Sequence, residues 1–382
     1  MKILQVIPFF APKYGGTVNS TYILSKELSK AGHEVTILTT DIDKDEKYVE
    51  SIIKKGVNVI CLHSVYNLGL LIYSPSIKNW LDTNLKDFDI IHMHNFRSYQ
   101  NNVVRTYAKK YNIPYILQAR GSVLPFFQKQ NFKKIYDFIW GYKILNDAKM
   151  VIALTNGELK QYQQMGVRSD KIKIIPNGID LSEYQLLPAR GKFRKKYGIK
   201  TDENVILFLG RINKIKGIDL LINSFSDISK ELDMVKLVIV GPDDGFLNYI
   251  KQMIIDLKLS DKVIITGPLY NKAKLEAYVD ADVYVLSSRY ETFPNTVLES
   301  LVCVTPVVMT KNCGIADIID KNGGIVADHD IQHLKQAIIT LLTNKKLRSK
   351  YAKNGRRIVE TKFDWLNIIK NLERIYMDIL NR

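Results

Sequence analysis

Cysteine is scarce in this chain: three in 382 residues, Cys61, Cys303 and Cys313. Their odd number argues against a disulfide framework and their spacing matches no metal-binding or redox pair, so a reducing cytoplasm is the expected setting. No stretch of about 20 apolar residues occurs, which argues against a membrane-spanning helix. The opening MKILQVIPFF carries one lysine and a short apolar run with no small-residue cleavage pattern; it reads as a first strand rather than a leader. Sequence-level repeats are absent too. Acidic residues are outnumbered, 39 Asp and Glu against 55 Lys and Arg, for a net charge of +16. Phosphorylated substrates, anionic lipid surfaces and nucleic acids would each use that surplus. Yet the lysines are scattered over many segments and no nucleic-acid module is recognisable, so no nucleic-acid partner is expected.

What the chain does contain is strand and helix in alternation. Ile3 to Pro8, Val35 to Thr40, Val57 to Leu62, Asp89 to His94, Pro114 to Ala119 and Met150 to Thr155 are short apolar runs separated by helical segments. Such runs suit parallel strands covered on both sides. A second set starts at Asn204 to Arg211 and continues through VKLVIVG, KVIITG, DVYVLSS and TPVVMT. The length and the alternation predict an α/β protein with two doubly wound, Rossmann-like domains, each with its own core. The polar, basic stretch from Pro188 to Lys200 is the expected linker, dividing residues 1–188 from residues 189–362.

The most informative stretch is Ser287 to Val308, SSRYETFPNTVLESLVCVTPVV, in which seven residues separate Glu291 from Glu299. The preceding strand places Arg289 and Glu291 in a loop at its carboxyl end, where open α/β sheets bind ligands, and Pro294 suits the first turn of a helix. Spacing removes a hydrolytic pair. Eight residues of helix advance about 12 Å, whereas a retaining glycosidase needs its carboxyl groups about 5 Å apart. Two grips on one hydroxyl-rich ligand, or two solvated surface carboxylates, remain open. Arg211 and Lys216, in GRINKIKG, fall at the end of the second domain's first strand. A guanidinium and an ammonium beside a helix N-terminus suit a diphosphate, and strand ends of one sheet share an edge, so both lie on the side of Glu291.

In the first domain, Gly15 and Gly16 form a strand-to-helix turn open to a phosphate, although most such pairs are only turns. His92 and His94 alternate to one face at the end of a strand; they line the crevice or are hydrogen-bonded structure, and two histidines make a poor metal site. From Leu124 to Leu145, Lys129, Lys133, Lys134 and Lys143 mix with Phe126, Phe127, Phe132, Tyr136, Phe138, Trp140 and Tyr142. A basic, aromatic helix can lie on an anionic bilayer. The plainer expectation turns Tyr136, Ile139, Trp140 and Leu145 to the core and leaves the lysines solvated.

Taken in order, YGG at Tyr14, DIIHMHN at Asp89, RG at Arg120, PNGID at Pro176, GRINKIKG at Gly210, VGPDDG at Val240 and SRYETFPNTVLES followed by TPVV resemble glycosyltransferase family 4, the retaining GT-B enzymes, over nearly the whole chain. The closing FDWLNIIKNLERIYMDIL resembles that family's terminal helix and implies that residues 363–382 cross back to the first domain. The resemblance implies two domains facing each other across a cleft, with the acceptor on the first and a nucleotide sugar on the second.

Carried over position by position, Arg211 and Lys216 bind the donor diphosphate, Glu299 holds the ribose, and Glu291 sits by the donor sugar. Asn295, Thr296 and Val297 meet sugar or phosphate oxygens at a helix start, Leu269 receives the base, and Gly15 and Gly16 admit the diphosphate. His92, His94 and Asn95 fall on the acceptor side, where acceptor choice resides in loops such as Asn95 to Gln100 and Gly121 to Lys134. No cofactor and no metal are implied, and no carboxylate is assignable as a nucleophile; the implied route is front-face attack within a short-lived ion pair. Three positions depart from the family pattern. Arg120 and Gly121 stand where His-Gly is common, so Arg120 takes a place near the reacting sugar or an acceptor phosphate. Val304 replaces a small residue before Thr305 and should tighten packing behind the donor helix. Ile315 and Ala316 replace a common Gly-Ile step.

The activity expected is therefore transfer of a hexose from a UDP- or GDP-type nucleotide sugar to a polysaccharide or lipid-linked oligosaccharide. The enzyme would be cytoplasmic, with peripheral docking on the inner face of the membrane, and closure would hinge near Pro188 and Phe363. A sugar-nucleotide epimerase of the same architecture, or a basic membrane-surface protein with a vestigial sugar site, are the alternatives.

Overall fold

The computed structural model describes residues 1–68, 71–124 and 130–381. Two compact units divide the chain: Met1–Gly178 with Trp365–Arg382, and Ile179–Asp364. Both are α/β with parallel sheets, the expected fold class.

The first unit holds strands β1 (Lys2–Val6), β2 (Glu34–Thr40), β3 (Asn58–Leu62), β4 (Tyr66–Leu68), β5 (Leu71–Tyr73), β6 (Ile90–His94), β7 (Tyr115–Gln118), β8 (Met150–Ala153) and β9 (Ile172–Ile174). Seven of them form one parallel sheet in the order β3-β2-β1-β6-β7-β8-β9. The order reverses between β1 and β6, the switch point at which doubly wound sheets open a crevice. β4 and β5 form a separate antiparallel hairpin in which Tyr66 and Tyr73 stack; their three-residue strands are too short for alternation to announce. One core lies on each face of the sheet, because residues such as Leu4, Ile91 and Leu117 point one way and Ile3, Ile37 and Ile116 the other. The terminal helix Trp365–Leu380 belongs to this unit. Trp365, Ile368, Ile369, Leu372, Ile375 and Tyr376 recur at helical spacing and are all buried.

The second unit carries β10 (Asn204–Leu209), β11 (Val235–Val240), β12 (Val263–Gly267), β13 (Val283–Leu286), β14 (Val307–Thr310) and β15 (Gly324–Ala327), a parallel sheet ordered β12-β11-β10-β13-β14-β15. Its switch point lies between β10 and β13, so the ends of these two strands are the natural ligand edge. β15 was not anticipated: GGIVA is too short and glycine-rich for period-based reading.

Two boundary expectations fail. The stretch from Pro188 to Lys200 is no free linker but part of the second unit. Its short helix Lys192–Lys196 buries Arg194, whose guanidinium donates to the Asp280 carbonyl and, at 2.7 Å, to Asp282 Oδ2. The return crossing likewise falls after Asp364, since Phe363 stays in the second unit against Phe293, with ring centroids 5.8 Å apart.

Candidate active site

At the ligand edge of the second sheet, the chain leaves β10 into Arg211 and the turn Lys214–Lys216, and Gly217 then starts the helix Ile218–Glu231. Gly217 must be glycine. Its φ is +64°, and a Cβ there would lie 2.0 Å from the Ser287 carbonyl oxygen. The turn is thereby pressed against the end of β13, and the Ser287 hydroxyl donates back to Gly217 O at 2.8 Å. Arg289 clamps it from the other side. Its guanidinium forks onto Asp219 at 2.9 and 2.6 Å, and its backbone N–H donates to Ile215 O at 2.8 Å. Bidentate pairing of this kind fixes direction as well as distance.

Within this frame Lys216 and Glu291 form a direct ion pair, both largely buried. The backbone of Glu291 is tied to the loop after β14, Glu291 N–H to Asn312 O at 3.2 Å and Gly314 N–H to Glu291 O at 2.8 Å. Arg211 is more exposed and pairs with Asp244 at 2.9 Å. The helix Asn295–Val302 begins one residue after Pro294, which is its cap rather than its first turn. Thr296 Oγ1 accepts from the buried Tyr284 hydroxyl at 2.7 Å. Glu299, on the next turn, accepts from Lys274 Nζ and Tyr278 Oη, each at 3.0 Å. Leu269 follows β12 at the same edge and is half-buried. So Arg211, Lys216, Glu291, Asn295, Thr296, Val297, Glu299 and Leu269 all follow the carboxyl ends of strands of one sheet; strand order had placed Arg211, Lys216 and Glu291 there, and the family resemblance the others.

In the first unit, Gly15 (φ +72°) caps the helix Gly16–Lys30. Tyr14 beside it bonds to Asp43, and burial, followed by that carboxylate, raises its hydroxyl to about 12. Asn95 takes a left-handed turn (φ +63°) and is half-buried. His92 and His94 do not present themselves to a ligand. Both are fully buried, with rings stacked at 4.4 Å. His92 Nδ1 pairs with Tyr376 Oη at 2.6 Å, and Arg120 Nε donates to His94 Nδ1 at 3.1 Å. His94 must then carry its proton on Nε2, from which it donates to Gln5 Oε1 at 2.6 Å. Burial holds His92 down to about 3 and His94 well below its ordinary value, so both rings are neutral supports. Arg120 is what they support. Its Nη1 donates to Asn177 Oδ1 at 2.8 Å, and burial lowers it to about 10 while Glu158 opposes that shift. Glu158, itself pushed up by burial, is held by the N–H groups of Gly121 and Leu154.

The segment after Gly121 also departs from expectation, although Pro125 to Lys129, including Phe126, Phe127 and Lys129, lie outside the described residues. Leu145 is buried as predicted and Tyr136 partly so, but Ile139 and Trp140 are exposed, and Phe132 and Phe138 are 75% and 82% exposed. The anchor is a buried pair. Arg97 forks onto Asp137 at 2.8 and 2.7 Å. A Cβ on Gly141 would come 2.6 Å from that carboxylate, so one π-helical turn, Asp137–Gly141, is built around glycine. Val304 fails differently: it is 40% exposed with φ +62°, so its effect is backbone strain, not tighter packing.

Sequence reading missed Gln5, Asn177, Lys274, Tyr278 and Tyr376, each of which acts across a long chain separation; only the four-residue spacing of Lys274 and Tyr278 on one helix was visible. It also expected no Asp-x-Asp motif, yet Asp328 and Asp330 have that spacing, and with His333 their ligand atoms lie within 4.8 Å of one another. They are largely exposed, and their oxygens are engaged by Lys311 and by His333 itself. A cavity of about 660 Å³ beside them, lined by Lys311, Asp317 and Asp320, shares no residue with the constellation of Arg211, Lys216, Glu291 and Glu299.

Residues 189–358 match the family model described as glycosyl transferases group 1, and residues 14–183 match that described as glycosyltransferase family 4. An uncharacterized glycosyltransferase of Methanocaldococcus jannaschii is 26% identical over the full length of both chains. The alpha-monoglucosyldiacylglycerol synthase of Streptococcus pneumoniae is 28% identical over 87% of this chain and 76% of its own. Among solved structures, Anabaena HepE in complex with UDP and glucose superposes with a TM-score of 0.84 at 19% identity, covering 99% of this chain and all of that one. With both halves matched in order, the chain belongs to the family 4, group 1 glycosyltransferases.

Proposed function

We propose that this glycosyltransferase moves a hexose from a nucleotide diphosphate sugar to a glycan or lipid-linked acceptor, with retention of configuration and without a metal. The observation that carries the reading is the Lys216–Glu291 ion pair, held in the loop after β13 at the sheet edge that also carries Arg211 and, on the helix that follows, Glu299. Lys216 and Arg211 offset charge on the departing diphosphate, which is the electrostatic contribution expected to dominate such a transfer. Glu291 accepts a hydroxyl of the sugar, and Glu299 the ribose hydroxyls. Backbone N–H groups at Asn295 to Val297 face the anion from a helix start. Neither carboxylate is left over as a nucleophile, which favours front-face attack with the leaving phosphate taking the acceptor proton. UDP and glucose in the Anabaena structure support the donor class.

On the acceptor side, Arg120 is the one cation that the buried histidines, Gln5 and Asn177 hold in place. It suits an anionic group on the acceptor. The exposed Phe132, Ile135, Phe138 and Trp140, with Lys134 and Lys143 beside them, support docking on an anionic membrane surface, where a lipid-linked acceptor would be met. The streptococcal relative, named for a glucosyl lipid product, is in keeping with that. Among the described residues no helix is long and apolar enough to cross a membrane.

UDP- and GDP-sugars should first be screened for thermal stabilisation, because a ligand selective for the folded state raises its apparent stability. Any stabilising donor is then incubated with lipid-extract acceptors. Sugar transferred with the donor's anomeric configuration supports the reading; release of an epimerised free sugar without acceptor would replace it with an epimerase.

A further inference from the structure

Glu299 is held from one neighbouring helix, and the way it is held shapes what it can grip. We propose that Lys274 and Tyr278 are positioning residues that orient the Glu299 carboxylate to receive two adjacent hydroxyls of the donor's ribose; this rests on the reading of Glu299 as the ribose grip given above. The two side chains lie four apart on the helix Asn271–Asp280, hence on one face. Lys274 Nζ donates to Oε1 at 3.0 Å and Tyr278 Oη to Oε2 at 3.0 Å. A carboxylate offers about four lone-pair sites. One donor on each oxygen leaves accepting capacity on both, which suits the two hydroxyls of a vicinal diol.

The holders are themselves fixed. Tyr278 is fully buried, and its ring meets that of Tyr284 edge-on at 5.8 Å. Its carbonyl accepts from Thr305 Oγ1 at 2.7 Å, and Tyr284 is pinned in turn by Thr296 and by Leu209 O. Burial, then Glu299, raises the Tyr278 hydroxyl well above its ordinary value, so it remains a donor at any working pH. Burial works against the Lys274 ammonium, but Glu299 more than offsets it and the group stays charged. That ammonium has a second consequence. An uncompensated carboxylate at the edge that takes a diphosphate would repel the ligand, and Lys274 neutralises it locally, so that Glu299 draws on neither Lys216 nor Arg211. A side chain locked by packing and outer hydrogen bonds loses little entropy when the ligand arrives.

The test compares UDP and GDP with their 2′,3′-dideoxy counterparts by calorimetry on wild type, Glu299→Gln, Tyr278→Phe and Lys274→Met, each checked for cooperative thermal unfolding. Wild type should prefer the ribose form by about tenfold or more. In Tyr278→Phe and Lys274→Met that preference should shrink to about threefold or less, while affinity for the dideoxy form changes little, a pattern that a general loss of structure would not produce. A wild-type preference retained in both variants but lost in Glu299→Gln overturns the positioning role and leaves the ribose grip standing. A preference retained in Glu299→Gln, or no binding of UDP or GDP by wild type, overturns the grip and the positioning role with it.

Discussion

Lys216 and Glu291, 75 residues apart in sequence, are each other's counter-ion. A diphosphate reaching Lys216 must therefore compete with a carboxylate already in place. Glu291→Gln should bind UDP or GDP more tightly, by about threefold or more, while transfer from the matching nucleotide sugar falls; Lys216→Met should weaken binding about tenfold or more. Calorimetry beside steady-state turnover separates the two effects. Wild-type binding in both variants would remove Lys216 from the phosphate site.

The buried histidines make stability depend on pH. Their folded-state values lie below the ordinary one, His92 at about 3. Below about pH 6.5 the unfolded chain binds protons that the folded chain refuses. Stability is thus full above that pH and falls as pH drops toward 3, by up to about 1.4 kcal/mol per pH unit for each ring. Urea midpoints measured from pH 7.5 to 4.5 should fall more gently in His92→Asn than in wild type. Parallel curves would show that His92 titrates alike in the folded and unfolded chains.

Phe132 and Phe138 leave two large apolar rings exposed on this helical segment. Phe138→Ala combined with Phe132→Ala should release the protein from vesicles containing anionic lipid, and salt should release the wild type as screening shortens the reach of the lysines. Co-sedimentation at low and high salt reads both. Absence of wild-type retention at low salt would rule out this docking surface.

Val304 holds a β-branched side chain at φ +62° while 40% exposed. Left-handed backbone costs such a residue about 1–2 kcal/mol, so Val304→Gly should stabilise the protein by about 1 kcal/mol after allowing for glycine's greater freedom when unfolded. The chemical unfolding midpoint should move up; a fall would mean the packing contacts outweigh the strain.

Gly178 lies under the terminal helix, where a Cβ would sit 2.6 Å from the Trp365 ring. Gly178→Ala should cost about 1–3 kcal/mol, the usual range for overpacking, read as a lower midpoint. No change would mean that Trp365 has room to move.

The fold was legible because its signal is local. Apolar runs such as Val283 to Leu286, buried on both faces, announce parallel strands without reference to anything distant. The shared edge of Arg211 and Glu291 was legible for a related reason, since parallel strands all end on one side and placing the two needed only their positions after β10 and β13. Partners were not legible. Nothing near His94 in the sequence names Gln5 or Arg120, and nothing near Glu299 names Tyr278 as a donor rather than one more core aromatic.

By itself, then, the sequence determined two doubly wound sheets, the edge at which their strands end, and the family through its ordered motifs. Tertiary structure decided the protonation and pairing of the groups at those places. It turned His92 and His94 from candidate contacts into neutral supports, paired Lys216 with Glu291, tied Arg194 into the second unit and left Phe138 in solvent. The physical reason is that strand and helix follow from periodicity within a few residues, whereas desolvation and hydrogen bonding depend on which distant segments are brought within about 3 Å.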